Sequence, residues 1–147
     1  MKTPLISVMM TFVVMMAACS PAQTPTAAPP TSAPTQAFKL ATSAEEIVGT
    51  WHNSGAGYLR FYKDGTFHWA RALDNLDSQP NAINEFRFEG TQMILKEVSV
   101  SGVPGCGDAT GIYEVRLLEG GKIRIVTIED KCAPRAGSTA VEYEPVR

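Results

Sequence analysis

The chain has 147 residues, with 13 Lys and Arg against 15 Asp and Glu and a formal net charge of −2. A chain this near neutrality has no electrostatic case for nucleic acid or an anionic membrane surface, and no basic stripe, aromatic–basic interleaving or nucleic-acid motif is present. Its length suits one domain with a modest core.

Met1-Lys2 is a short positive start, and Leu5 to Ala18 is an apolar run of 14 residues. Met16-Ala17-Ala18-Cys19 ends that run with small residues directly before a cysteine. The run is too short to span a hydrocarbon core of about 30 Å as a helix, and it reads as a secretory signal. The motif resembles a bacterial lipoprotein signal. The resemblance implies cleavage after residue 18, acylation of Cys19, and an extracytoplasmic protein lipid-anchored to the cell membrane or the outer membrane. An ordinary cleaved signal with a chance cysteine is the alternative.

Ser20 to Ala37 comprises five Pro, five Ala, four Thr, two Ser and two Gln. With no charge and no large apolar side chain it has nothing to bury, so residues 19–37 read as a solvated linker. In the polyproline form it would reach about 55 Å. The folded domain is expected over residues 38–147.

That domain alternates with a period of two and is punctuated by turn residues, the pattern of an all-β fold. Strands are expected at Ile47–Asn53, Tyr58–Tyr62 and Thr66–Arg71, with Lys63-Asp64-Gly65 forming a hairpin loop. Leu73–Ser78 suits one or two helical turns. Further strands are expected at Ala82–Phe88 and Gln92–Val100, joined at Gly90, then at Thr110–Leu118 after the Gly- and Pro-rich loop Ser101–Ala109. Glu119-Gly120-Gly121 turns the chain into Lys122–Ile128. Asp130–Gly137 is a longer loop with some helical character, and Ser138–Val146 is the last strand.

No crossover helix long enough for a parallel pair appears. Eight consecutive antiparallel strands close most simply as a small up-and-down barrel, which removes exposed edges; a two-sheet sandwich is the alternative. Parity then divides the connections. The three short glycine-centred turns fall at one end, and every long loop falls at the other. Cys106 and Cys132 sit in two of those long loops. Pairing them closes a loop of about 27 residues, a stabilisation of about 3.5 kcal/mol in the chain-entropy model. A metal site is the weaker reading, because there is no C-x-x-C and neither histidine lies near either cysteine.

Ser43 to Trp51 is a short helical lead-in followed by Gly49-Thr50-Trp51, a G-x-W motif. It resembles the opening of lipocalin-like and related calycin barrels, as does the hairpin from Leu59 through Phe67. The resemblance covers about residues 43–147. It implies that Trp51 plugs the closed end and that Arg147, at the end of the last strand, packs across it.

Period-two parity places Trp51, Leu59, Phe61, Phe67, Trp69, Phe86, Phe88, Met93, Leu95, Tyr113, Val115, Leu117, Ile123, Ile125, Val141 and Tyr143 on the inner face. These large side chains either fill the barrel or leave a shallow apolar pocket at the loop-bearing end. For such a pocket the candidate ligand-binding residues are Asn53, Trp69, Arg71, Tyr113 and Tyr143, a cation and hydrogen-bonding groups among aromatics. His52 and His68 take the outward parity. Asp74, Asp77, Asp108 and Asp130 lie in the loops of the same end and read as solvated charge, without EF-hand spacing or a metal triad. Serine and cysteine nucleophile motifs are absent. The expectation is a binding module rather than an enzyme, with no cofactor and no metal. It would take a small hydrophobic or amphipathic ligand at the loop end and touch membrane only through its anchor. A protein-interaction or inhibitor lipoprotein with a solid barrel is the alternative.

Overall fold

The structure, a computed structural model, describes residues 37–147. The signal, Cys19 and nearly all of the linker lie outside the described residues. Nine strands form: β1 Phe38–Leu40, β2 Gly49–Asn53, β3 Gly57–Phe61, β4 Thr66–Ala70, β5 Ala82–Glu89, β6 Gln92–Val100, β7 Thr110–Leu118, β8 Ile123–Asp130 and β9 Glu142–Pro145. Two short helices, α1 Asn75–Ser78 and α2 Ala133–Thr139, lie in the long connections. Strands β2 to β9 pair with their sequence neighbours, all antiparallel, and β2 pairs with β9. The eight expected strands therefore close into a barrel.

The closing seam is short. Only Trp51↔Pro145 and His52↔Glu144 are in register between β2 and β9, extended by the Val146 N–H donating to the Thr50 carbonyl at 2.9 Å. Asn53 reinforces it, because its Nδ2 donates to the Glu142 carbonyl at 2.8 Å.

Two elements depart from the sequence pattern. β1 was not expected. It exists because β6 starts at Gln92, opposite Glu114, and so leaves the last residues of β7 without a partner on that edge; Phe38, Lys39 and Leu40 pair there with Leu118, Leu117 and Arg116. The last strand is shorter than expected, since Ser138 and Thr139 belong to α2 and the strand begins at Glu142. Pro134, in the first turn of α2, lacks an N–H where a helix needs none.

All sixteen residues assigned to the inner face belong to the core or pack against it. Phe61 stacks on Phe67 with centroids 4.8 Å apart and meets Phe86 edge-on at 5.2 Å. The lead-in adds Ala41 and Ile47, both fully buried, beneath the end that carries the tight turns. There the indole N–H of Trp51 donates to the Ile47 carbonyl at 2.9 Å. Arg147 is exposed beside Glu144 and Pro145 rather than packed across that indole.

At the opposite end, Gly57 opens β3 with φ +85°, and a Cβ there would lie 2.7 Å from the Ala70 carbonyl oxygen. Both the left-handed backbone and the β3–β4 contact demand glycine. Gly57→Ala is expected to lower stability by about 2 kcal/mol or more, read as a lower urea midpoint at unchanged slope.

Candidate functional site

Alternation along β4 turns Phe67 and Trp69 inward, and the register sets Asn84 of β5 beside Phe67. Asn84 in turn pairs with Glu97 of β6, which shares the inward parity of Met93 and Leu95. At this height the barrel stops being filled. A cavity of about 150 Å³ lies there, walled by Phe67, Trp69, Asn84 and Glu97 and roofed by the 101–109 loop and α2. Val103, Pro104 and Cys106 come from the loop, and Pro134, Arg135, Ser138 and Thr139 from the helix. The Cys106–Cys132 disulfide ties loop and helix together, with Cα atoms 5.4 Å apart.

Behind the roof is a buried polar cluster. Arg135 grips Asp130 with two N–H groups, Nε to Oδ2 at 2.7 Å and Nη2 to Oδ1 at 2.9 Å. Nη2 also donates to the Ala109 carbonyl at 2.8 Å. Asp130 accepts further bonds from the Cys132 N–H and the Tyr113 hydroxyl. The Asp130 side chain is fully buried and that of Arg135 is 6% exposed. Burial alone would raise the Asp130 pKa, but the bonds from Arg135, Tyr113 and Cys132 outweigh it and hold the carboxyl below its ordinary value. Burial, followed by the Asp130 carboxylate, pushes the Tyr113 phenol up, so it stays protonated and donates.

A β-bulge brings Asp130 into this cluster. Between β7 and β8 the register moves from Tyr113↔Thr127 to Ile112↔Glu129, which leaves Ile128 unpaired and outside. The extra residue shifts the alternation by one and turns Asp130 inward opposite Gly111. Gly111 leaves the room required, because a Cβ there would sit 2.6 Å from Asp130 Oδ2.

Of the five candidate ligand residues, Trp69 lines the cavity; its indole N–H donates to the Ala56 carbonyl at 2.6 Å. Arg71 is exposed and lines an adjoining groove with Trp69 and Ser138. Asn53, Tyr113 and Tyr143 do not line it. The Asn53 side-chain Oδ1 accepts the Gly55 and Ala56 N–H groups at 2.8 and 2.9 Å. The Tyr143 hydroxyl donates to the Ser138 carbonyl at 2.8 Å. In place of those three, the site holds Asn84, Glu97 and Arg135. The first two carry a readable signal, a polar residue at inward parity near the long-loop end of a strand. Arg135 carries none, since it comes from a segment with no strand period.

The other polar candidates lie outside the barrel. His52 packs on Tyr58 with ring centroids 4.4 Å apart. His68 donates from Nδ1 to the Leu76 carbonyl at 2.8 Å and so pins α1 to the outer face. Asp74 and Asp108 are exposed, whereas Asp77 binds Arg60 and Tyr62. Among the described residues no three His, Cys, Asp or Glu side chains are grouped to hold a metal.

No family model, curated protein or solved structure matches this chain. The reading of the site therefore rests on its own geometry. Asp130 and Arg135 pair through two hydrogen bonds, and Arg135 also bonds the Ala109 carbonyl, so the cluster stiffens the roof. The cavity below offers aromatic and proline walls with a few polar groups, the make-up of a small-molecule site.

Proposed function

We propose that this protein is an extracytoplasmic lipoprotein, anchored through Cys19, whose barrel binds a small amphipathic or apolar ligand under its long loops. The observation that carries the reading is the cavity of about 150 Å³ between Trp69 and the disulfide-tied roof. Its size suits a compact molecule, since an apolar cavity of about that volume holds benzene. The barrel beneath is filled by Phe61, Tyr113 and Tyr143, which leaves no room for a long acyl chain. Anchorage rests on the resemblance of residues 1–19 to a lipoprotein signal, and the disulfide is compatible with export.

The filled lower barrel is also what favours the second reading, an envelope protein that binds another protein through the tied loops. Native mass spectrometry of the chain extracted from its own membranes distinguishes the two. The expected result is a copurifying small molecule that is lost in Trp69→Ala. Recovery of the chain without any small molecule, but with a stoichiometric protein partner released by substitutions in residues 101–109, would overturn the ligand reading.

A further inference from the structure

The inner wall of the cavity carries a carboxylate with no counter-ion. Phe67, Asn84 and Glu97 stand in one row across β4, β5 and β6, because Phe67 pairs with Asn84 and Asn84 with Glu97. Neighbours in such a row are about 5 Å apart at Cβ, close enough to reach one ligand atom together. All three line the cavity. The roof loop holds Glu97 in place. Both its oxygens accept the Cys106 N–H, at 2.9 and 3.0 Å, and a Cβ at Gly105 would lie 3.1 Å from its Oε1. That single N–H leaves most of the acceptor capacity of the carboxylate unused, and no Lys or Arg pairs with it among the described residues. Asn84 is 3% exposed, and its side-chain amide makes no hydrogen bond among the described residues.

These groups decide the charge of what they can hold. Arg135 is the one cation among the lining residues. Two hydrogen bonds pair it with Asp130, so those two charges cancel and Glu97 is left uncompensated. A ligand that fills about 150 Å³ beside Glu97 strips water from its carboxylate. A neutral head would leave that charge desolvated and alone, and an anionic head would add repulsion. A protonated amine neutralises it. Its N–H groups are all donors, which suits the Glu97 oxygens and the Asn84 carbonyl. The rings of Phe67 and Trp69 in the same wall add attraction for a cation.

Building on the binding reading above, we infer that the ligand is a compact amine, protonated at neutral pH, with an aromatic or apolar body. Its ammonium group donates to Glu97 and Asn84, and its body packs on Trp69 and on Val103 and Pro104 of the roof.

Four probes of one shape test this on the oxidised, isotope-labelled full chain: benzylammonium, benzamide, benzoate and toluene, titrated by NMR. Benzylammonium is expected to shift the Asn84 side-chain and Trp69 indole signals and to bind about tenfold or more tighter than the other three. Glu97→Gln removes the charge but keeps an acceptor for the Cys106 N–H. It should weaken benzylammonium by about tenfold or more and leave toluene unchanged. Asn84→Ala should weaken benzylammonium as well, by a smaller factor. Benzamide, benzoate or toluene matching benzylammonium on the unaltered chain would overturn the amine assignment while the binding reading stands, and so would full benzylammonium affinity in a folded Glu97→Gln chain. Silence from all four would remove the binding reading together with this inference.

Discussion

Replacing Asp130 with alanine is expected to lower stability by about 3–5 kcal/mol, the usual result of stranding a buried partner charge. The guanidinium of Arg135 would keep only its bond to the Ala109 carbonyl, in a site where its side chain is almost wholly buried. Tyr113 and the Cys132 N–H would lose their acceptor as well. The double variant Asp130→Ala, Arg135→Met should recover most of the loss, because no charge then remains to be desolvated. Urea unfolding of the three proteins measures both effects. A single variant within about 1 kcal/mol of wild type would mean that the pair does not hold the roof. The same group sets an acid limit. The folded-state pKa of Asp130 is depressed, so its contribution is present above the unfolded value of about 3.9 and is lost as pH falls below that toward the folded value. Wild-type stability should therefore fall more steeply below about pH 4 than that of the double variant.

Breaking the Cys106–Cys132 bridge is expected to cost about 3.5 kcal/mol in the chain-entropy model, for a sequence separation of 26. The Cys106→Ser, Cys132→Ser variant measures this without reductant, through the shift in its urea midpoint. The loss should be uneven across the molecule. The core cluster from Phe61 to Ile125 does not include the bridge cysteines, whereas the bridge joins the 101–109 loop to α2 alongside the Arg135–Ala109 hydrogen bond. Amide exchange should accelerate most in residues 101–109 and 132–139 and least in β3 and β7. Equal acceleration everywhere would show that the roof is not a separable unit, and the stability of the cavity would then be that of the barrel itself.

Much of the fold is legible because its determinants are local. An alternating side-chain pattern decides which face of a strand meets the core, and this holds from Trp51 to Tyr143 without knowledge of the partner strand. Glycines with positive φ at Gly65, Gly90 and Gly120 mark the three tight turns in the same local way, which sets the long loops at the other end. The two bulges are different. Val98 and Ile128 look like ordinary strand residues, yet each is the extra residue in its ladder and stands exposed. Nothing adjacent to Ile128 announces that the count slips there, so Asp130 reads as loop charge although its side chain is fully buried. Asn53, Tyr113 and Tyr143 have the chemistry of ligand contacts, but their polar atoms are taken by the backbone and by Asp130.

The sequence by itself determined the strands, their inward faces, the order in which they pair and the end that carries the long loops, because each follows from a repeat of two and from turn residues a few positions apart. It also marked the cysteine pair. Only the tertiary structure decided that three residues after the linker complete β7, that α2 replaces the start of the last strand, and that Asp130, Arg135 and Tyr113 converge. Those outcomes depend on which edges stay unpaired and which charges must be buried together, and such conditions arise only once distant segments meet.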